Sequence, residues 1–224
     1  MILAIDGPAG SGKSSTARAI AARTGLLYLD TGAMYRAVAL RFLEAGAEVT
    51  EKDAVDILDT LNLDIRYENG DMILRLDGRD VTGLIRTRDV ATMSSRVSTL
   101  APVRKKMVEE QRRIAEQECA IGKGVVIEGR DIGTVVFPEA DVKIFMDADP
   151  RERTRRRIRD LKEAGESPDE EEIFQEIVDR DRRDRSRDLS PLRPAEDAIF
   201  IDTTNLSFSK QIDMIESAVR ERLG

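Results

Sequence analysis

Eight residues near the start of the chain have the types and spacing to hold a polyphosphate. Gly7, Pro8, Ala9, Gly10, Ser11, Gly12, Lys13 and Ser14 read G-x-x-x-x-G-K-[ST]. The run follows a short apolar stretch, Met1–Ile5, and precedes an Ala-rich helical pattern, Lys13–Arg23. That context is the one in which the pattern forms a phosphate loop. Glycines let the backbone curl so that successive N–H groups face phosphate oxygens. The helix behind adds the positive end of its dipole. Lys13 is a mobile point charge for β- and γ-phosphates, and Ser14 offers a hydroxyl to Mg²⁺, with Ser15 and waters as substitutes. An ordinary Gly-rich turn is the bland alternative. The loop implies a nucleoside triphosphate and says nothing of the reaction.

Composition narrows the chemistry. The 224 residues include no histidine and one cysteine, Cys119, so His-based catalysis, His-ligated zinc and an internal disulfide are excluded. Carboxylates, Arg, Lys, hydroxyls and backbone amides remain, and those are the groups that handle phosphate. The net charge of −7 argues against sequence-independent nucleic-acid binding. Nine aromatic residues offer little base stacking to such a role. No run approaches the ~20 apolar residues of a membrane span, and Met1–Asp6 lacks the features of a signal peptide. A soluble, cytoplasmic protein is expected, with no membrane partner, and a monomer, because no large apolar stripe is evident.

Three further segments carry charge in useful places. Leu29–Arg36 reads L-D-T-G-A-M-Y-R, a strand end that opens a helix, with Thr31 as the natural cap and Arg36 one turn on. Asp30 is either a carboxylate for magnesium or the acceptor site, or a strand-end cap. Ile127–Pro138 reads I-E-G-R-D-I-G-T-V-V-F-P and also follows a strand, where ligands bind in open α/β sheets. Arg130 and Asp131 there could instead be a structural ion pair. Arg180, Asp184 and Arg187 share a face if their helix continues. Residues Arg151–Arg187 hold 12 basic and 12 acidic side chains, which reads as a solvated, ion-paired helix, although six arginines crowd into Arg151–Arg159. The phosphate loop leaves a GTPase switch, an ATPase motor or a small-acceptor kinase open. No Asn-Lys-x-Asp base-reading run supports the first, and Glu128 or Asp147 would have to serve as the strand-end acid of the second.

The elements that must position these groups are legible. Apolar runs at 1–5, 26–29, 125–127, 142–146 and 198–201 predict five buried strands. Helical patterns at 13–23, 103–118, 170–187 and 208–223 alternate with them, with Val103, Met107, Ile114, Ile173, Ile177, Ile212, Ile215, Val219 and Leu223 as core positions. This predicts an α/β fold, a P-loop doubly wound parallel five-stranded sheet with helices on both faces. Leu63–Thr82 breaks the pattern. Its Asn69-Gly70 and Asp77-Gly78 dipeptides supply the positive φ of tight hairpins, so an inserted antiparallel meander is expected. Tyr35, Met34 and Cys119 read as core packing. One domain over 1–224 is expected.

Taken with I-D-G-P-A-G-S-G-K-S, V-T-G-L-I-R-T, V-K-I-F-M-D-A and R-D-R-R-D-R-S-R-D-L-S-P-L, these segments resemble the bacterial-type cytidylate (CMP) kinases nearly end to end. Family members often carry Ser at Thr31 and vary between Gly and Ser at Ser14. The resemblance implies transfer of the γ-phosphoryl group of ATP, with Mg²⁺, to CMP or dCMP. It implies that Ser95, Arg104 and Asp131 read cytosine, and that Arg180 and Asp184 hold the sugar hydroxyls. It further implies that Arg36 and Arg130 clamp the acceptor phosphate beside Thr31, with Arg187 near the acceptor. Lys13, Arg130, Arg153, Arg156 and Arg157 then carry catalysis, the last three as arginines of a lid near 151–168, and the resemblance places the acceptor-binding insertion of the single kinase domain near 60–100. A kinase for UMP or a sugar acid, a nucleotide-dependent switch and an Arg-rich nucleic-acid binder are the alternatives.

Overall fold

A computed structural model of the chain describes residues 1–68 and 71–223. In chain order the elements are β1 (Ile2–Asp6), α1 (Lys13–Thr24), β2 (Leu27–Asp30), α2 (Thr31–Ala45), α3 (Glu51–Thr60), β3 (Leu63–Glu68), β4 (Asp71–Leu76) and β5 (Arg79–Asp80). Then follow α4 (Arg88–Val97), α5 (Ala101–Ala120), β6 (Val125–Gly129), β7 (Val142–Asp147), α6 (Pro150–Glu163), α7 (Glu170–Arg185), β8 (Ile199–Asp202) and α8 (Phe208–Leu223). All five expected strands form, in one sheet of order β2-β6-β1-β7-β8. β1 pairs in parallel with β6 and β7, and β7 with β8. Leu3, Ala4 and Ile5 of β1 and Val125–Ile127 of β6 are fully buried, as strands covered on both faces must be. No helix among the described residues is long and apolar enough to cross a membrane.

The chain divides into two compact units, Met1–Leu26 with Gly124–Gly224, and Leu27–Lys123. In the first, α1 packs on β1, β6 and α8, and α8 packs on β7. Because β1, β6 and β7 run parallel, the loops leaving their C-terminal ends share one edge of the sheet. Those loops are Gly7–Gly12, Arg130–Asp131 and Ala148–Asp149. The region expected as a lid is an ordinary helix, α6, docked on α7 through Ile158, Leu161, Ile173 and Ile177.

The second unit holds the meander, an antiparallel sheet of order β3-β4-β5. Asp77 and Gly78 link β4 to β5 with φ of 51° and 81°, the paired positive values of a two-residue hairpin turn. The other expected turn, Asn69-Gly70, and the side chain of Leu223 lie outside the described residues. α2 packs against α4 and α5.

Three expectations need correction. The helical cap before α2 is Asp30, whose carboxylate accepts from Ala33 N–H at 2.8 Å, and Thr31 is already the first helical residue. A carboxylate is the stronger cap at a helix N-terminus because the dipole favours its charge. α7 stops at Arg185, with Ser186 as its cap, so Arg187 lies beyond the helix. Cys119 is half-buried near the end of α5 rather than a core residue.

Candidate active site

The phosphate loop begins where β1 ends. Gly7 has a φ of 151°, and a Cβ there would lie 2.0 Å from the Met146 carbonyl oxygen, so only glycine fits. Gly12, at φ 90°, caps α1 without a side chain. Lys13 is buried, and its ammonium donates to the Pro8 carbonyl at 3.0 Å, a contact that a phosphate would replace. Ser14 Oγ donates to Glu128 Oε2 at 2.7 Å. Glu128, at the end of β6, is therefore the acid beside the loop. Asp147 instead pairs with Arg185 at 3.2 Å.

Side chains from α6 and from the stretch after β8 hold the loop's outer side. Arg153 is 1% exposed and fully engaged. It forms two bonds to Asp181 of α7, at 3.1 and 2.6 Å, and others to the carbonyls of Ala148 at 2.9 Å and Ala9 at 3.2 Å. Arg156 binds Glu152 at 3.1 Å and Thr203 at 3.1 and 2.6 Å, while Thr203 Oγ1 donates to Ser11 O at 2.9 Å. Gln211 of α8 accepts from Thr16 at 3.2 Å. Arg157 is half-buried, and no hydrogen bond or ion pair holds it among the described residues. Of the three arginines expected in a lid, Arg153 and Arg156 are tied down by these bonds.

A second cationic cluster in the same unit gathers around Asp184. This carboxylate side chain is 1% exposed and accepts from Arg130 Nε at 3.0 Å and from Arg187. Burial alone would raise its carboxyl. The guanidinium groups of Arg130, Arg187 and Arg180 outweigh burial and hold it below the usual carboxylate range. Arg187 reaches Asp184 although its helix has ended. Asp131 is buried beside this cluster in an irregular conformation, φ −147° and ψ 25°, and begins a π-turn, Ile132–Val136.

The second unit places its own expected residues separately. Asp30, besides capping α2, pairs with Arg36 at 3.0 Å. Gly32 makes room for this pair, since a Cβ there would lie 3.1 Å from both partners. Ser95 is buried on α4 with its hydroxyl unbonded among the described residues. Arg104 is buried at the start of α5, donates to Ser98 O at 3.4 Å and lies 5.8 Å from the Tyr35 ring centroid. Tyr35 is thus a half-buried platform for an arginine rather than plain core.

Sequence reading overlooked Asp6, Asp181, Thr203 and Gln211. Each acts by a contact distant in sequence, and no local pattern announces such contacts. Glu128 was visible as a strand-end acid, but nothing local distinguished it from Asp147.

The family model for cytidylate kinase matches residues 3–221. The chain belongs to the cytidylate kinase family. A cytidylate kinase of Salinibacter ruber is 51% identical over 224 residues, covering 100% of this chain and 99% of that one. Another, of Carboxydothermus hydrogenoformans, is 47% identical over 214 residues, covering 95% and 94%. A crystal structure of an uncharacterized protein from Eubacterium ventriosum shares the fold, with a TM-score of 0.53 over 98% of each chain at 14% identity.

Proposed function

We propose a division of labour among the residues described for the reaction that family membership carries, transfer of the γ-phosphoryl group of ATP to CMP. dCMP is proposed as a second acceptor. Gly7–Ser15 binds the ATP phosphates through backbone amides, and Lys13 leaves Pro8 to follow the β- and γ-phosphates. Arg130, Arg180 and Arg187 meet the acceptor nucleotide, ordered by Asp184, with Arg180 and Asp184 turned to the sugar. Asp131 accepts from the exocyclic amine of cytosine, a donor that uracil lacks. Ser95 and Arg104 donate to the ring acceptors, while Arg36 and Thr31 serve the acceptor phosphate. Arg157 is the arginine for the transferring group. Arg153 and Arg156 hold α6 and the loop in place for it.

The observation that carries this reading is the cluster around Asp184. The guanidinium groups of Arg130, Arg187 and Arg180 all bear on this one buried carboxylate and keep it ionised, and a cluster of arginines held in this way suits a phosphate monoester dianion. Two such anions must meet in line, so positioning and neutralisation supply most of the catalysis, and no covalent protein intermediate is needed.

The donor set also fits Mg²⁺. Ser14 and Glu128 present one hydroxyl and one carboxylate at 2.7 Å, matching a cation that binds through one or two protein oxygens, phosphates and water. Ser14 and Glu128 would hold it, and Asp30 is occupied by Ala33 and Arg36 instead. The metal would offset charge on the phosphate oxygens.

A coupled ADP-release assay over CMP, dCMP, UMP and AMP tests the reading. Asp131→Ala should cost CMP efficiency about 100-fold or more, with the KM for ATP nearly unchanged, because an unpaired buried partner is costly. An unchanged preference for CMP over UMP would remove Asp131 from base recognition.

A further inference from the structure

Asp6 is the last residue of β1 and precedes the phosphate loop directly, yet its side chain turns to a different loop. Its carboxylate is buried, 5% exposed, and accepts two backbone hydrogen bonds, from Ile132 N–H and Gly133 N–H, both at 2.8 Å. These are the two residues that follow Asp131. Asp131 itself offers no side-chain cap to the π-turn it begins. Its carbonyl accepts from Val135 at 2.9 Å and Val136 at 3.2 Å, and Ile132 O accepts from Phe137 at 2.7 Å. The first two amides of the turn have no carbonyl behind them, and Asp6 takes both.

We infer that Asp6 is a positioning residue for cytosine recognition: by gripping the Ile132 and Gly133 amides it fixes the backbone that aims Asp131. The inference rests on the reading of Asp131 given above. A Cβ at Gly133 would crowd only the Lys143 stem, 3.2 Å from Cδ, and would meet Asp6 Oδ2 in ordinary contact at 3.5 Å, so the grip on the amides comes from Asp6 itself. The contact is also costly to maintain, as expected of a group kept for geometry. Burial pushes the Asp6 carboxyl up to about 7, against the pull of the two amides, with Asp131 raising it further and Arg130 lowering it. Arg130 and Asp131 are the charged neighbours that bear on it.

Only a carboxylate presents two acceptors to two adjacent N–H groups. Asp6→Asn preserves shape but sets an NH₂ against one of them in either flip, so one bond is lost. The expected result is a rise of about 10-fold or more in the KM for CMP and a narrowed CMP-over-UMP preference, with the KM for ATP within about 3-fold. Equal losses on ATP and CMP would overturn the inference, since they would mark a general prop for the phosphate loop. So would an unchanged KM for CMP. Wild-type protein supplies a measurement that needs no variant. The Ile132 and Gly133 amide resonances should titrate together near neutral pH, and the KM for CMP should rise on the acid side of that titration while the KM for ATP stays flat. Two amides that shift with different midpoints would show that they share no single carboxylate and would overturn the inference. Asp131→Ala is the control. If it loses base preference and Asp6→Asn does not, only the positioning role fails; if neither does, the reading of Asp131 fails first.

Discussion

Replacing Asp184 by Asn removes one negative charge from the most buried ion-pair cluster while keeping its volume. The carboxylate binds Arg130 at 3.0 Å and Arg187, and Arg180 also bears on it. With the charge gone, the guanidinium groups of Arg130, Arg187 and Arg180 lose the buried carboxylate they share. Breaking a buried pair from one side costs about 3–5 kcal/mol. A chain of this length loses about 2–4 °C of Tm per kcal/mol, so the expected drop is roughly 6–20 °C by scanning calorimetry. The pH dependence has a definite sign. The folded carboxyl lies below its unfolded value, so its stabilisation is present above about pH 4 and fades as pH falls through the folded value. Asp184→Asn should therefore lose less stability than the wild type on acidification through that window. CMP, whose phosphate can replace the missing anion, should raise the Tm of the variant more than that of the wild type. Cytidine, which has no phosphate, should not. A Tm drop under about 2 °C, or equal rescue by cytidine, would refute the claim that Asp184 orders the arginines.

Other substitutions separate roles that sequence alone merges. Arg157→Met should lower kcat about 100-fold or more in single-turnover assays while leaving the Tm within a degree or so, because no hydrogen bond or ion pair is lost and Met keeps the apolar stem. Arg153→Met should behave in the opposite sense, destabilising by about 3–5 kcal/mol in denaturant titrations through the loss of the Asp181 pair, with the folded fraction keeping most of its turnover. Glu128→Gln should raise the Mg²⁺ concentration needed for half-maximal rate about 10–100-fold, read by metal titration at fixed ATP, with little effect on the KM for CMP.

The parts of this fold that repeat a local rule were readable in advance. Apolar runs gave five strands, and Gly-x-x-x-x-Gly-Lys-Ser gave the loop, because backbone sterics and N–H geometry dictate those residues in place. Asp77-Gly78 gave a hairpin for the same reason. What could not be read was which of many equivalent charges does which task. Arg153, Arg156 and Arg157 lie within five residues and look alike, yet Asp181, Thr203 and the Ala148 carbonyl engage two of them and leave the third. Asp30 beside Thr31 offered two caps, and the dipole chose the charged one. Arg187 was placed on a helix that ends before it. In each case the deciding contact comes from tertiary packing or from competition at a helix end, which no spacing rule encodes.

A chain with a net charge of −7 can still bind two polyanions because its acids are used to place its bases. Asp181 grips Arg153, Asp184 grips Arg130 and Arg187, and Asp30 grips Arg36. A long arginine pays about 2 kcal/mol of rotamer entropy to be ordered by a ligand, and a carboxylate that orders it beforehand removes part of that cost from binding. The same carboxylate also lowers the local positive charge, so the arrangement works only where cations outnumber it. Three guanidinium groups bear on Asp184, whereas at Arg153 Asp181 matches the single cation and the carbonyls of Ala9 and Ala148 take two further N–H donors. On this contrast the proposed reading gives Arg130, Arg180 and Arg187 to the ligand and Arg153 to the frame.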